Sequence, residues 1–305
     1  MRNVIAVVGP TASGKTALAL ELASRLDSEV ISADSMQVYR GMEIGTAAPT
    51  PQQLALVRHH FIGILDPGEA FSAGMFERMA RDVVKSLNIQ GKIGVVAGGA
   101  GLYVRALLEG LFPGPEKDDA IRSRLHREAE AEGVPQLFAR LRACDRDYAD
   151  LINENDLRRI VRALEVYELT GQPLSKLHAE HQEAAMPLDA VQVAFDWPRE
   201  ELYARIDVRV DHMVEQGFAE EVRALLDRGY EKHLYRLRSL GYREFADYFA
   251  GKKTFEEAVQ AMKQNTRRFA KRQLTWFRAD PGIYWMKPES GRTIASYAEE
   301  ALGLL

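Results

Sequence analysis

Residues 4–22, VIAVVGPTASGKTALALEL, decide the fold. Five of the six residues from Val4 to Gly9 are apolar, the mark of a strand buried on both faces. Gly9-Pro10-Thr11-Ala12-Ser13-Gly14-Lys15-Thr16 then fits G-x-x-x-x-G-K-[ST], and Ala17 to Leu26 continues as an apolar-striped helix. The spacing has a physical reason. Gly9 and Gly14 let the backbone curl until successive amides point inward at phosphate oxygens. Lys15 adds a positive charge, Thr16 supplies a hydroxyl for Mg²⁺, and the helix N-terminus adds its dipole. A strand, a loop of this kind and a helix in succession predict a phosphate-binding site, with ATP as the default occupant.

Working outward, the 305 residues are enough for one large domain plus an insertion. Charged residues make up 28% and apolar ones 46%, as in an ordinary soluble protein. The net charge of −4 offers no global positive field, so any nucleic-acid surface has to be local. A lone cysteine, Cys144, excludes an internal disulfide and a cysteine-based zinc site, which suits a reducing cytoplasm. Met1-Arg2-Asn3 runs straight into the first strand, so no signal peptide is expected, and no apolar run approaches a membrane span.

Glu29 to Ala33 reads as a second buried strand, ending at Asp34-Ser35-Met36-Gln37. In open α/β sheets ligands bind beyond the carboxyl ends of the strands, which puts Asp34 near whatever the loop holds. An Asx-turn or N-cap role accounts for such an aspartate equally well. Gly41 to Gln53 reads as loop. His59-His60 reads as packing or hydrogen-bonding residues, because adjacent side chains point apart and no third metal ligand sits at a matching spacing. Phe71 to Asn88 predicts an amphipathic helix facing inward through Phe76, Met79, Val83, Val84 and Leu87.

Ile93 to Ala97 is a third strand, and it meets Gly98-Gly99-Ala100-Gly101 rather than an acidic residue. A nucleotide hydrolase usually carries its second magnesium-binding aspartate there, so the glycines count against an ATP-driven motor or switch. Pro113-Gly114-Pro115 marks a break, after which Asp118 to about Ala185 is helical, charged and without strand-like runs. Strand character returns at VQVAF (191–195), followed by helices at Arg199 to Gly229, Ser239 to Tyr248 and Thr254 to Phe277, and a last strand at Gly282 to Met286.

Basic residues cluster in three places: Arg158, Arg159 and Arg162; Arg205, Arg209 and His212; and Lys263, Arg267 and Lys271, flanked by Arg268 and Arg272. Most charge runs are solvated helix faces. From Lys263 to Arg278, however, six residues are basic and none acidic, which points to a polyanionic partner.

Several words of the sequence resemble the bacterial tRNA dimethylallyltransferase (isopentenyl-tRNA transferase) family: GPTASGKT (9–16), ADSMQVYRGMEIGTA (33–47), GGAGLY (98–103), NENDLRRIVRALEVYELTGQPLS (153–175) and KRQLTWFR (271–278). They follow the family's order nearly end to end. The resemblance implies an α/β fold, a P-loop NTPase-like parallel sheet flanked by helices (1–115 and 187–305) with an all-helical insertion domain contacting tRNA (116–186). It implies transfer of a dimethylallyl group from dimethylallyl diphosphate to the exocyclic amine of the adenosine directly 3′ of the anticodon, assisted by Mg²⁺; a cytoplasmic location and a monomer are expected besides.

Asp34 is then the general base, and Gly9 to Thr16 (Gly9, Pro10, Thr11, Ala12, Ser13, Gly14, Lys15, Thr16) hold a diphosphate leaving group with Arg209. Thr16 is the metal-side hydroxyl. Ser35, Met36, Gln37, Arg158, Arg159, Ile160, Val161 and Arg162 fall on segments that contact tRNA in the family, and Arg122 on an arginine that touches the anticodon stem-loop. Arg267 and Lys271 are expected to grip the RNA backbone. One departure stands out: the glycine word is usually GGTGLY, and Ala100 replaces its threonine. Three other readings remain open: a small-molecule kinase, an adenylate isopentenyltransferase and a non-catalytic RNA-binding protein.

Overall fold

The computed structural model describes residues 2–112, 114–184, 186–237 and 239–305; Pro113 and Ala185, which mark the ends of the helical stretch, and Met1 lie outside the described residues. The first strand, β1 (Val4–Val8), passes through the glycine loop into α1 (Lys15–Arg25). Then come β2 (Val30–Ser32), α2 (Pro51–Leu56), β3 (His59–His60), α3 (Ala73–Ile89), β4 (Gly94–Gly98) and α4 (Gly101–Glu109). Next are α5 (Asp119–Glu132), α6 (Val134–Cys144), α7 (Arg146–Asp150), α8 (Leu157–Thr170) and α9 (Leu174–Ala184). The chain continues through β5 (Ala190–Phe195), α10 (Arg199–Glu215), α11 (Phe218–Asp227), α12 (Glu231–Leu237), α13 (Tyr242–Phe249), α14 (Phe255–Arg278), β6 (Ile283–Met286) and α15 (Ile294–Leu302).

The strands form one parallel sheet in the order β3-β2-β4-β1-β5-β6. The run of Val, Ile and Ala in β1 is explained by its place in the middle, with Val4 facing Gly94 on one side and Ala190 on the other. Side chains alternate across the sheet. Val4, Ala6 and Val8 therefore pack with Phe76, Val84 and Leu107 of α3 and α4. Ile5 and Val7 pack with Leu18 and Leu22 of α1 and Ala298 of α15. Both faces are covered, as a parallel sheet requires. The chain leaves β1 toward β2 on one side and leaves β5 toward β6 on the other, so a crevice opens at the carboxyl end of β1.

A further apolar cluster joins α10, α11, α13 and α14 to the segment after β2, with Val38, Met42, Phe218, Tyr242 and Met262 at its centre. The single helix expected over Arg199 to Gly229 is two, because Gly217 takes φ +96° and ends α10. The His59-His60 pair forms a short edge strand against Val30 and Ile31. His60 Nε2 lies 2.5 Å from a carboxylate oxygen of Glu29. Within α3, Ala80 is buried and Met79 is 41% exposed, so the inward face is rotated from the one expected.

The chain divides into two compact units, one comprising residues up to Glu109 and from Pro187 onward, the other Gly110–Met186. The second unit begins ahead of the expected residue 116. It is all-helical among its described residues, with Leu125, Leu141, Ile160 and Leu164 at its centre. Asp118 caps α5 by accepting from the Ala120 and Ile121 amides at 2.9 Å, and Gly171 closes α8 at φ +70°. No helix among the described residues is long and apolar enough to cross a membrane.

Candidate active site

Three residues of the glycine loop have positive φ: Gly9 (+131°), Ala12 (+63°) and Gly14 (+96°). The glycines adopt this without steric cost, whereas Ala12 needs support. Its carbonyl accepts Arg205 Nε at 2.9 Å, and its methyl packs with Leu202, Ile206 and Ala270. The next carbonyl, Ser13, accepts the Trp197 indole N–H at 2.8 Å. The Arg205 guanidinium lies 4.2 Å from the Trp197 ring centroid, so the two donors brace one another. Two successive carbonyls of the loop are thus tied from outside, while the Ser13 amide donates to the Pro10 carbonyl at 3.4 Å. No side chain caps the N-terminus of α1. A loop of this shape with free helix-start amides is an anion cradle.

Two cations, Lys15 and Arg209, face a single carboxylate, Asp34, around the cradle. Lys15 Nζ donates to the Pro10 carbonyl at 3.1 Å. Its pKa is lowered to about 8, first by burial and then by the Arg209 charge, with Asp34 pulling the other way. Burial lowers the Arg209 pKa as well, again opposed by Asp34. Arg209 Nε and Ser13 Oγ are buried without a hydrogen-bond partner among the described residues. Two mutually repelling cations beside orphaned donors are the arrangement a diphosphate would complete.

Asp34 lies just past β2. Its Oδ1 accepts the Met36 amide at 2.8 Å and the Gln37 amide at 3.3 Å, so the Asx-turn reading holds. The ligand-side reading holds too, because Asp34 lines one cavity with Lys15, Thr16, Ser32 and Gln37. Both bonds fall on Oδ1, which fixes the plane of the carboxylate. Ser35 and Met36 are half-buried beside it. The Gln37 side chain is spent on the protein: Oε1 accepts from Ser32 Oγ at 2.9 Å, and Nε2 donates to the Thr46 and Ala47 carbonyls at 3.3 and 3.2 Å. Gln37 therefore holds the loop in shape.

Glu221, which the sequence did not single out, anchors the far end of that loop. Its carboxylate accepts the Ile44 and Gly45 amides at 2.7 and 3.0 Å and the Tyr242 hydroxyl at 2.6 Å. Burial pushes the Glu221 pKa up, against those three donors. Gly45 has to be glycine, because a Cβ there would lie 2.3 Å from Phe218 and 2.6 Å from Tyr242.

The glycines at the end of β4 and just beyond it serve close approach. A Cβ on Gly98 would lie 2.1 Å from the Ala33 carbonyl, and one on Gly101 would lie 2.1 Å from the Trp276 indole nitrogen. Ala100 presents only a methyl group, and its amide donates to the Ala33 carbonyl at 3.2 Å. The strand ends without an acidic side chain.

In the helical unit, Arg122 and Arg162 already have a partner. Arg122 grips Glu165 with two bonds of 2.7 and 2.9 Å, and Arg162 adds a third of 2.7 Å. Burial acts to raise the Glu165 pKa, yet the two guanidiniums and the Asp118 amide outweigh it and hold the carboxyl below its usual range. Ile160 and Val161 are core residues, so their side chains present no surface. Arg158 and Arg159 are exposed, and Arg159 is paired loosely with Asp156 at 3.3 Å.

On α14, Lys263 pairs with Asp211 at 2.6 Å and Arg267 with Asp207 at 2.5 Å. The acid-free run is thus balanced from α10, which a reading along one helix cannot see. Arg268, Lys271 and Arg272 remain exposed.

A parallel sheet flanked by helices, with a glycine loop after β1, Asp34 past β2 in the same cavity and glycines in place of an acid at the end of β4, defines a P-loop-type α/β protein. The IPP transferase family model matches residues 37–280. The chain is 49% identical to a tRNA dimethylallyltransferase of Desulfosudis oleivorans over 95% of this chain and 92% of that one. The fold is similar to that of a tRNA isopentenylpyrophosphate transferase from Bacillus halodurans (TM-score 0.72, 38% identity, 99% and 96% of the two chains covered). It is also similar to a eukaryotic dimethylallyltransferase acting on tRNA (TM-score 0.80, 28% identity, 93% and 73% covered). The chain belongs to the IPP transferase family.

Proposed function

We propose that the protein is a tRNA dimethylallyltransferase that moves the dimethylallyl group of dimethylallyl diphosphate onto the exocyclic amine of the adenosine directly 3′ of the anticodon. Family membership carries the transferase class. The observation that carries the chemistry is that Asp34 lines the same cavity as Lys15 and Thr16, with its charge felt by both Lys15 and Arg209.

The phosphate-loop amides, Lys15 and Arg209 bind the diphosphate. As the allylic C–O bond breaks, the charge on the departing pyrophosphate develops where these donors already point. The adenine amine is a poor nucleophile because its lone pair is delocalised into the ring. As its new N–C bond forms, its proton passes to Asp34 Oδ2, the oxygen not used in the turn. The acceptor adenosine has to leave the loop stack to reach this cavity, at a cost of roughly a few kcal/mol. Ser35 and Met36 line its approach, and the exposed Arg158, Arg159 and Lys271 are among the cations that meet RNA phosphates.

The residues fit Mg²⁺. Among the described residues no group of three or more His, Cys, Asp and Glu could cage a metal ion. A hydroxyl at Thr16 beside a diphosphate suits a small hard cation that keeps its waters and takes phosphate oxygens. When bound, it would neutralise charge on the leaving pyrophosphate.

Incubation with labelled dimethylallyl diphosphate, Mg²⁺ and either unmodified tRNA or AMP, with ATP hydrolysis run alongside, tests the assignment. Label is expected in tRNAs with adenosine at the target position, and not in AMP. Label in AMP alone, or ATP turnover without transfer, would overturn it.

A further inference from the structure

Gln273 stands in the most basic stretch of the chain, between exposed Lys271, Arg272 and Trp276 on α14, and yet it is only 7% exposed. Its side chain turns away from the cationic face. Oε1 accepts the Thr11 amide of the phosphate loop at 3.0 Å, and Nε2 donates to the Gly99 carbonyl at 2.9 Å. One planar amide therefore joins the loop after β1 to the turn after β4. The fit is close from both sides, since a Cβ on Gly99 would stand 2.3 Å from Gln273 Nε2 and 3.2 Å from the Gly9 carbonyl. One turn further along α14, Trp276 occupies the space over Gly101, under the Arg105 guanidinium.

We infer that Gln273 is a positioning residue for the diphosphate site, bracing the entrance of the phosphate loop, and takes no part in gripping RNA. The inference rests on the reading that the loop holds the donor's diphosphate. Thr11 opens the cradle, ahead of the strained Ala12, and its amide proton goes to Gln273. The loop then keeps one orientation of its peptide planes before any ligand arrives. Such preorganisation favours anion binding because the loop does not have to be ordered on binding. It also follows that the diphosphate is held by the amides beyond Thr11.

Calorimetric binding of pyrophosphate with Mg²⁺ to the full chain, alongside filter binding of an anticodon stem-loop RNA, tests this. Q273L puts a shorter, branched apolar side chain in place of the amide and removes both bonds. It is expected to weaken pyrophosphate about tenfold while the RNA Kd stays within about twofold. Pyrophosphate bound as tightly as by the unsubstituted protein, or a loss confined to RNA, would overturn the proposal. Q273E carries the test should Q273L fail to fold. Its ionised carboxylate can accept from Thr11 but faces the Gly99 carbonyl without a proton to donate. Its pyrophosphate defect, relative to the unsubstituted protein, is expected to shrink as pH falls and the carboxyl gains a proton. A defect independent of pH would overturn the proposal. Failure of the unsubstituted protein to bind pyrophosphate would instead refute the donor-site reading.

Discussion

Trp197 donates its indole N–H to the carbonyl of Ser13 at 2.8 Å, across 184 positions of sequence, and so holds one peptide plane of the phosphate loop from outside. Replacing Trp197 by Phe keeps an aromatic surface under Arg205 and removes the donor. The bond is a neutral one, worth about 1 kcal/mol, so pyrophosphate binding should weaken roughly fivefold. Titration calorimetry checks this; an unchanged Kd would mean that the loop keeps its shape without the tie.

Asp34→Asn retains an Oδ1 that can accept the Met36 and Gln37 amides, so the turn survives while the base is lost. Single-turnover transfer should fall by about 10²–10⁴, with RNA affinity unchanged. Normal chemistry in this variant would remove Asp34 from the proton-transfer role.

Lys15, with its pKa lowered to about 8, gives donor binding a pH dependence. The charged form attracts the anion, so pyrophosphate affinity should hold below pH 8 and decline as pH rises through it. Lys15→Met should remove that inflection and weaken binding roughly ten- to hundredfold, the worth of one charge-assisted contact. Its effect on stability should have the opposite sign. A lysine whose folded pKa lies below its unfolded one costs stability below pH 8, and the cost fades toward pH 10.5. The methionine variant should therefore melt higher than the unsubstituted protein at pH 7, and a lower melting temperature there would contradict the burial assigned to Lys15.

In the helical unit, Glu165→Gln should lower stability by about 2 kcal/mol, because it leaves two guanidiniums without their shared carboxylate. The effect stays below that of a fully buried pair, since Arg122 and Arg162 are about one-third exposed. Denaturant unfolding measures it. Arg158→Ala and Arg159→Ala should leave stability alone and flatten the salt dependence of RNA binding, by about one unit of slope for each phosphate no longer neutralised. A slope unchanged in both would return these arginines to the solvated surface.

The central strand, the phosphate loop and the position of Asp34 were legible because each depends on neighbours within a few residues. Apolar runs announce buried strands, and glycine spacing announces the cradle. The two-residue strand at His59-His60 was too short to carry any period. The helix break at Gly217 was hidden because a single glycine inside an apolar pattern usually does not end a helix. The supports of the site lay further out of reach. Glu221, Trp197 and Gln273 act on the loops around Asp34 and the phosphate loop from 174 to 262 positions away, and none stands in a local pattern that marks it. The partners of the arginines were out of reach for the same reason. Those at 122, 162 and 267 look like cations in want of an anion until the fold brings Glu165 and Asp207 beside them.

The place of β1 in the sheet sets an order of events on the ribosome. Val4 pairs with Gly94 on one side but waits for Ala190 on the other. At roughly 5–20 residues per second, the second partner emerges about 10–40 s after the first strand. The whole stretch from Gly110 to Met186 is synthesised in the interval, and its helices need only contacts among themselves. Until β5 arrives, the nascent chain carries a hydrophobic strand with one open edge, the kind of surface that pairs with strangers. A chain halted anywhere before Ala190 is thus an aggregation hazard, and the long helical detour lengthens the time during which a chaperone has to cover it.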